Sequence, residues 1–272
     1  MKGPIEPRAL SELYMRAVLP CLSELALQDE VSGAMIAGWK SDFTFRLLQH
    51  LGITLDFRDG RITYHPFRVL YPDIDFAFLS ERHLNEFFDG KIWPPPLLLR
   101  GAWRIGKLKT FSALADRLEK FLEGKGDLLD DPANRRLYTR LNLMLAGFGL
   151  KVLAEYDPFS QAILKSLPEG LAEFTIGGQA GATTWFDNRP GKYDAGWGTP
   201  PRQADVTVRF SDIEVACLAL QDKSDTMADV GLRRITVDGL VPLADGLNVV
   251  MERLRDYLEP PPQPKTRTHP RA

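Results

Sequence analysis

The sequence predicts an α+β protein in which two tandem copies of one domain each hold a five-stranded, mainly antiparallel sheet covered by helices. Short stretches of the first half reappear in the same order in the second half, 124 to 136 residues later. The clearest pair begins at Asp73 and at Asp205, where an alternating strand runs directly into a helix. Further pairs are residues 13–16 with 137–140, 42–45 with 173–176, and 117–123 with 253–259. Solenoid repeats are only about 20–50 residues long, so a repeat of this length indicates a duplicated domain.

The predicted elements follow the same order in both copies. Apolar residues at helical spacing come first, strands rich in aromatic and β-branched residues follow, and an amphipathic helix closes each copy. In copy one the helices are predicted at 8–27 with a break at Pro20, 30–39, 81–88 and 111–122, and the strands at 42–48, 53–57, 62–64, 73–79 and 102–108. In copy two the helices are predicted at 134–153, 158–166, 213–220 and 243–258, and the strands at 171–176, 183–187, 193–197, 205–210 and 232–237.

Local signals place individual elements within each sheet. Asp59-Gly60 stands between two short alternating runs, which is the pattern of a two-residue hairpin turn. Positions 74, 76 and 78 are apolar and alternate with Asp75 and Ala77, and positions 206, 208 and 210 repeat this alternation. Such strands have one buried face. Ser80 is a favoured helix N-cap and predicts the helix that follows.

Composition and charge describe an ordinary globular protein. The 272 residues are 44% hydrophobic and 26% charged, with a net charge of −2. This near-neutral balance argues against a nucleic-acid partner, which a basic excess would accompany. Domains are expected at 8–124 and 133–260, followed by a disordered tail at 261–272 that is rich in proline and basic residues. The sequence shows neither an 18-residue apolar run nor a signal-peptide pattern, so a cytoplasmic protein is expected.

Residues that could carry chemistry do not form a catalytic or metal-binding pattern. The four histidines lack zinc-site spacing and no nucleophile elbow occurs. Cys21 and Cys217 are expected to be reduced core residues. His65 is expected as a solvated strand-end residue, and His83 on the solvent side of its helix. The sequence therefore predicts no enzyme activity, no metal and no cofactor.

Several segments resemble the sterol-carrier-protein family, a small α+β sterol-transfer domain of bacterial and other proteins. They are residues 204–212, 231–239 and 156–158 with 167–170 in copy two, and 55–60 and 106–109 in copy one. The resemblance implies two tandem sterol-carrier-like domains, each with a ligand-bearing cavity. Members of that family bind sterols, fatty acids, acyl-CoA or phospholipids, and some bacterial relatives serve quinone biosynthesis. The sequence departs from the family at 93–99 and 221–224, near the ligand entrance, so the ligand is not carried over.

Large apolar side chains between sheet and helices are the candidate ligand-binding residues. They are Phe76, Phe87, Phe88, Trp93, Trp185, Val208, Phe210, Leu218, Met227, Val250, Met251 and Leu254. Burying a lipid chain yields about 0.8 kcal/mol per CH₂, so such a site needs no charged motif. At least one copy is expected to bind. Copy one is the better binder if its aromatic side chains line a pocket and the poorer one if they fill it, and copy two is favoured because Met227, Val250 and Met251 make an adaptable lining. The opening is expected near residues 93–99.

Other functions fit the same residues. These apolar side chains can instead form closed cores, and the chain would then be a protein-interaction or scaffolding module of a lipid or quinone pathway. A third alternative is an enzyme acting on an acyl or isoprenoid substrate. Trp93 beside Lys91 is typical of a membrane interface or a ligand portal, so peripheral membrane contact is a further expectation. No oligomeric state is predicted.

Overall fold

In the residues that the computed structural model describes, 3–48, 52–91, 94–178 and 181–258, the chain forms two five-stranded sheets with helices. The helices are α1 (Pro7–Leu13), α2 (Cys21–Gln28), α3 (Glu30–Met35), α4 (Glu81–Phe88), α5 (Ile105–Glu123), α6 (Pro132–Tyr156), α7 (Pro158–Ser166), α8 (Ile213–Leu220), α9 (Thr226–Gly231) and α10 (Val241–Leu258). The strands are β1 (Lys40–Leu47), β2 (Ile53–Arg58), β3 (Arg61–His65), β4 (Ile74–Phe78), β5 (Leu97–Arg100), β6 (Gly170–Ile176), β7 (Thr183–Asn188), β8 (Asp194–Trp197), β9 (Val206–Phe210) and β10 (Ile235–Gly239). A π-helical turn, Tyr14–Val18, follows α1. The expected α+β class is confirmed, and the tail at 261–272 lies outside the described residues.

The two sheets have the same strand order and the same strand directions. The first is ordered β3-β2-β1-β4-β5 and the second β8-β7-β6-β9-β10. In each sheet the central pair is parallel, β1 with β4 and β6 with β9, and the other pairs are antiparallel. The sheets are therefore mixed, which corrects the expectation of mainly antiparallel sheets. The parallel pair arises because the chain leaves the first strand through two hairpins and then crosses the sheet to reach that strand's other side.

Each crossing segment lies over the polar face of its sheet. Between β3 and β4, the Val69 N–H donates to Thr54 Oγ1 at 3.2 Å. Between β8 and β9, Arg202 forms an ion pair with Asp187 at 3.3 Å. Both partners, Thr54 and Asp187, are buried although they lie on polar faces. The helices cover the opposite, apolar faces.

The end of the first half differs from the sequence prediction. The fifth strand is β5, and the prediction of a strand at 102–108 is wrong because α5 begins at Ile105. Gly101, with a φ of 85°, turns the chain back onto the backbone of Asp73. Leu108 stands at helical spacing from Phe111 and Leu114, so the apolar face of α5 extends beyond the predicted helix start at residue 111. Helix α9 is a further element that the sequence pattern did not indicate.

Helix α6 joins the two halves. It packs on α1, α2 and α5 of the first half and on β7, β8, α8 and α10 of the second. Arg140 on α6 forms a buried ion pair with Glu24 on α2, with 2.5 Å between Nε and Oε1. Gly147 lies so close to Thr184 of β7 that a Cβ atom would have no room there. The apolar interiors of both halves therefore meet along one helix and form one continuous core.

Candidate ligand-binding site

The apolar face of the second sheet and helix α10 enclose four of the predicted ligand-binding residues. Alternation along β9 turns Val208 and Phe210 to this face. Helical spacing along α10 brings Val250 and Leu254 against it, because they stand one turn apart. All four side chains are buried in the same apolar cluster.

Residues of the two interiors can be matched one to one. Strands β4 and β9 each end two residues before a helix N-cap, Ser80 of α4 and Asp212 of α8. The registers of the parallel and antiparallel pairs then extend the match to the neighbouring strands. Buried positions on α5 and α10 match with a constant offset, as Leu118 and Leu254 illustrate. The equivalent pairs in the interior are Phe43 with Ala172, Phe45 with Phe174, Leu55 with Phe186, Phe57 with Asn188, Phe76 with Val208, Phe78 with Phe210, and Phe111 with Leu247.

The interior of the first half is filled by five phenylalanine rings. Phe43, Phe45, Phe57, Phe76 and Phe111 contact one another with ring centroids 4.8–6.4 Å apart. Rings in mutual contact at these distances form a densely packed aromatic core. Phe76, a predicted ligand-binding residue, belongs to this cluster.

In the second half, smaller side chains replace four of these five rings. They are Ala172, Asn188, Val208 and Leu247, whereas Phe174 keeps its ring. At one position the second half has the larger side chain, since Phe186 stands where the first half has Leu55. Phe174 is 6% exposed against 1% for the equivalent Phe45, and Phe210 is 9% exposed against 0% for Phe78. The second interior therefore has smaller side chains at these positions, and Phe174 and Phe210 are slightly more exposed than their equivalents.

The replacement of Phe57 by Asn188 also puts a polar group in this interior. Asn188 is fully buried, and its Nδ2 donates to the carbonyl oxygens of Leu164 (3.2 Å) and Pro168 (3.0 Å). Its Oδ1 atom is buried and accepts no hydrogen bond from the described residues. A buried acceptor without a donor is costly, so a hydroxyl donor at this point would be stabilising.

An exposed apolar rim lies beside this interior on α8 and α9. Helix α8 contacts β9 and helix α9 contacts β10. Leu218 on α8 is 44% exposed and Met227 on α9 is 83% exposed, so these two predicted residues lie at the surface and not inside. Val230 and Leu232 extend the same exposed apolar surface.

A single arginine connects α10 to the end of α8 near the rim. Arg255 Nη2 donates to the Ala219 carbonyl oxygen at 3.3 Å, and Nη1 pairs with Asp222 at 3.3 Å. Because both charged side chains are largely exposed, this ion pair contributes little, about 0–1 kcal/mol. Met251, one turn before Arg255, is half-buried. Arg255 therefore adds only a weak surface contact between α10 and the end of α8.

The remaining predicted residues are not part of this interior. Trp185 pairs with Glu173 on the opposite face of the second sheet, where its ring lies against Gly196. Phe87 and Phe88 on α4 are half-buried against other rings: Phe87 is 5.5 Å from Phe78, and Phe88 stacks on Tyr14 at 4.8 Å. Trp93 lies outside the described residues. The predicted residues therefore do not form one site. Only those on β9 and α10 lie together, in the interior of the second half.

A polar cleft lies elsewhere on the second half. Its volume is about 370 Å³, and its lining is Ala154, Glu155, Gln161, Lys165, Gly191, Lys192 and Tyr193. Burial raises the pKa of the Tyr193 phenol. Charged and polar side chains at the mouth do not suit a hydrocarbon ligand, because burying them without partners costs free energy. This cleft is therefore not the apolar site.

One group of titratable residues was not anticipated from the sequence, and one histidine is placed differently. Asp42 and Asp56 face each other across β1 and β2, and Arg58 pairs with both at 3.2 and 2.8 Å. Burial and the neighbouring Asp42 carboxylate raise the pKa of Asp56, although Arg58 opposes them. The prediction for His83 is wrong, because His83 is buried and its Nδ1 accepts from the Leu79 N–H at 3.2 Å. Only the strand register brings the two carboxylates together, so no sequence motif marks them.

Over the described residues, no group of three or more histidine, cysteine or acidic side chains is arranged to hold a metal ion. None of the helices there has the length and hydropathy needed to span a bilayer. Cys21 and Cys217 are both buried free thiols, as expected.

Comparison with known proteins shows likeness at the level of structure. No model of a known protein family matches the chain, and no curated protein matches it significantly. The sterol carrier protein domain 2 of Helicoverpa armigera matches with 16% identity and a TM-score of 0.32, over 42% of this chain and 87% of that one. The apo form of Sterol Carrier Protein 2 from Yarrowia lipolytica matches with 16% identity and a TM-score of 0.30, over 39% of this chain and 90% of that one.

Proposed function

We propose that the second half of the chain binds a hydrophobic small molecule of the lipid, fatty acyl or isoprenoid type between the second sheet and α10, without catalysing a reaction on it. The observation that carries this proposal is the replacement of Phe43, Phe76 and their neighbours by Ala172, Val208 and other small side chains at equivalent positions. A closed core of equal density would need compensating larger residues, and Phe186 supplies one ring against four that are lost.

In this proposal the two halves have different functions. The repeated strand order and the ordered sequence matches support a tandem duplication of one sterol-carrier-like domain, as the sequence resemblance implies. The five-ring cluster makes the first half a stable closed copy. The second half, with its smaller interior residues, is the binding copy. Duplication allows this division because one copy can lose its cavity while the other keeps it.

Entry to the proposed site lies between α8, α9 and α10. Leu218 and Met227 are exposed there, and the Arg255 contact between α10 and the end of α8 is weak. A flexible methionine at such a rim adapts to ligands of different shape. Each CH₂ group that moves from water into the interior contributes about 0.8 kcal/mol before the entropy cost of binding. The unpaired Asn188 Oδ1 is the point where a ligand hydroxyl would be held.

Filling the site with the ring of the first half tests this proposal. Val208→Phe restores the side chain that Phe76 has at the equivalent position. We expect the variant to fold with little change in the free energy of unfolding, because the ring enters unfilled space, and to lose saturable binding of a fluorescent fatty acid. The matched control is Phe76→Val in the first half. It should lower the free energy of unfolding and leave the binding of the fluorescent fatty acid unchanged. Native mass spectrometry of protein purified without detergent should detect a lipid on the parent and not on Val208→Phe.

The alternative function is a protein-interaction or scaffolding module with two closed cores. The five-ring cluster favours it for the first half. If the second half is equally closed, Val208→Phe overpacks it and destabilises the protein by about 1–3 kcal/mol. That result, together with no saturable binding by the parent, would reject the carrier function in favour of the interaction module.

A further inference from the structure

The exposed aromatic side chains of the protein are gathered on one surface of the first half. In the described part of the chain, the exposed aromatic rings are Phe67 (55%), Tyr71 (82%) and Trp103 (74%). Leu70, Leu97, Leu99 and Ile105 are exposed in the same two segments, 67–71 and 97–105. Large exposed apolar side chains that cluster in this way mark an interaction surface.

Contacts between the two segments make this one continuous surface. The Arg100 guanidinium lies over the Tyr71 ring, 5.9 Å from its centroid. Arg104 forms an ion pair with Asp73 at 2.6 Å. Gly101 lies directly against the Asp73 backbone, and Arg100 stands opposite Asp75 in the sheet. Residues 66–73 and 97–109 together are called the basic aromatic surface below.

The charge of this surface differs from that of the whole protein. Residues 66–73 and 97–109 carry five basic side chains, Arg68, Arg100, Arg104, Lys107 and Lys109, and one acidic side chain, Asp73. Arg68 also pairs with the neighbouring Asp75 at 3.6 Å, so the surface keeps a net positive charge with Asp75 included. The chain as a whole has a net charge of −2. Between Asp89 and Asp116 the sequence contains no acidic residue. The surface thus combines a local positive charge with exposed Trp, Tyr and Leu side chains.

We propose that the basic aromatic surface docks on an anionic phospholipid bilayer. Trp and Tyr rings prefer the interfacial region of a membrane, where their apolar body is buried and their polar atom stays hydrated. Lys and Arg near an anionic surface each contribute about fivefold to binding. β5 is an edge strand, and its Leu97 and Leu99 side chains are 43% and 51% exposed. The surface belongs to the first half and shares no residue with the proposed ligand site, so each proposal can fail alone.

Co-sedimentation of the full chain with vesicles tests the docking. We expect binding to vesicles of phosphatidylcholine with about 30% phosphatidylserine, and little binding to vesicles of phosphatidylcholine alone. Arg100→Glu with Lys109→Glu should weaken binding at least about tenfold, because two attractive charges become repulsive. Trp103→Ser with Leu70→Ser should weaken it by a similar factor through lost insertion. The matched control is Leu27→Ser, an exposed apolar residue of α2 outside this surface and outside the proposed ligand site, which should bind like the parent.

Quenching by brominated lipids separates insertion from simple charge attraction. We expect tryptophan fluorescence of the parent to be quenched on brominated anionic vesicles, and quenching to fall strongly in Trp103→Phe. Equal binding to neutral and anionic vesicles, or no binding to either, would overturn the proposal. Concentration-dependent dimerisation that is abolished by Trp103→Ser with Leu70→Ser, without vesicle binding, would also overturn it and assign the surface to a second copy of the chain.

Discussion

Arg253 and Asp157 form a buried ion pair that ties the last helix to the start of α7. The Arg253 Nη2 atom lies 3.4 Å from Asp157 Oδ1, and neither side chain is more than 2% exposed. Asp157 is also the N-cap of α7, where it accepts from the Ser160 N–H (2.9 Å) and hydroxyl (2.6 Å). The Tyr257 hydroxyl donates to the same carboxylate at 2.9 Å. One carboxylate thus connects α7 and α10.

The first half contains the same arrangement. Asp29 is the N-cap of α3, accepts from the Ser32 N–H and hydroxyl, and is bound by Arg117 of α5 at 2.5 and 2.8 Å. Arg117 and Arg253 occupy equivalent positions of the closing helices. Each arrangement joins segments about 90 residues apart in the chain, 88 and 96 residues respectively. A repeated long-range contact of this kind supports the duplication more strongly than the short sequence matches do.

The two arginines should differ in their effect on stability. Arg253→Met leaves the buried Asp157 charge without its cation, and we expect a loss of about 3–5 kcal/mol. Arg117→Met should cost clearly less, because the Arg117 and Asp29 side chains are 28% and 12% exposed and water can solvate the remaining charge. Urea unfolding of both variants measures the difference. Equal losses would show that burial does not set the strength of these pairs.

Asp157 should make the protein sensitive to acid. Burial alone would raise the pKa of this carboxyl, but hydrogen bonds from Ser160, Arg253 and Tyr257 outweigh burial and hold its pKa below the usual value. A lowered pKa in the folded state contributes stability that is complete above the unfolded pKa of about 3.9 and is lost as the pH falls through the folded pKa. Asp157→Asn should therefore be less stable than the parent at pH 6 and lose less stability on going down to pH 2. The prediction would be contradicted if the free energy of unfolding of parent and variant fell equally steeply between pH 6 and pH 2.

Phe76 and Phe210 should both be important for stability. They are buried on β4 and β9, strands that occupy the same place in the two sheets. We expect Phe→Ala at either position to cost about 3–5 kcal/mol. Thermal or denaturant unfolding gives the values. The control is Phe67→Ala, an exposed ring whose removal should change stability by no more than about 0.5 kcal/mol. Variants at positions 76 and 210 that melt like the parent would disprove the packing.

The two halves should unfold together. Helix α6 packs on both halves, and its Arg140 is paired with Glu24 in the interface. A fragment of residues 132–258 would expose the side of α6 that α1, α2 and α5 cover, so we expect it to be unfolded or aggregated by circular dichroism and size-exclusion chromatography. Adding a fragment of residues 3–131 should restore its structure. A cooperatively folded 132–258 fragment would show instead that each half is an independent domain.

Most of the fold could be predicted from local sequence patterns. The alternation at 74–78 and 206–210, the Asp59-Gly60 hairpin and the Ser80 cap all correspond to observed elements. Where the prediction was wrong, a long-range contact decided the outcome. Residues 97–100 become a strand because β4 offers them a free edge, and Gly101 then turns the chain so that Ile105 can start a helix. His83 is buried because the chain returns over it at Pro94, 2.8 Å away, which no local pattern indicates.

The sequence by itself determined the class of fold, the two tandem sets of elements and the inward faces of the strands, because side-chain alternation and helical spacing are local properties of the chain. The tertiary structure decided which candidate residues share an interior. Val208, Phe210, Val250 and Leu254 meet, whereas Trp185 lies on the other face of the sheet and Met227 lies at the surface. It also decided that Phe76 contacts the rings of Phe43, Phe45 and Phe111, whereas Ala172 and Leu247 stand where the second half would need the rings of Phe43 and Phe111. Packing density depends on which side chains meet across strands and helices, and that depends on register and helix placement rather than on any single stretch of sequence.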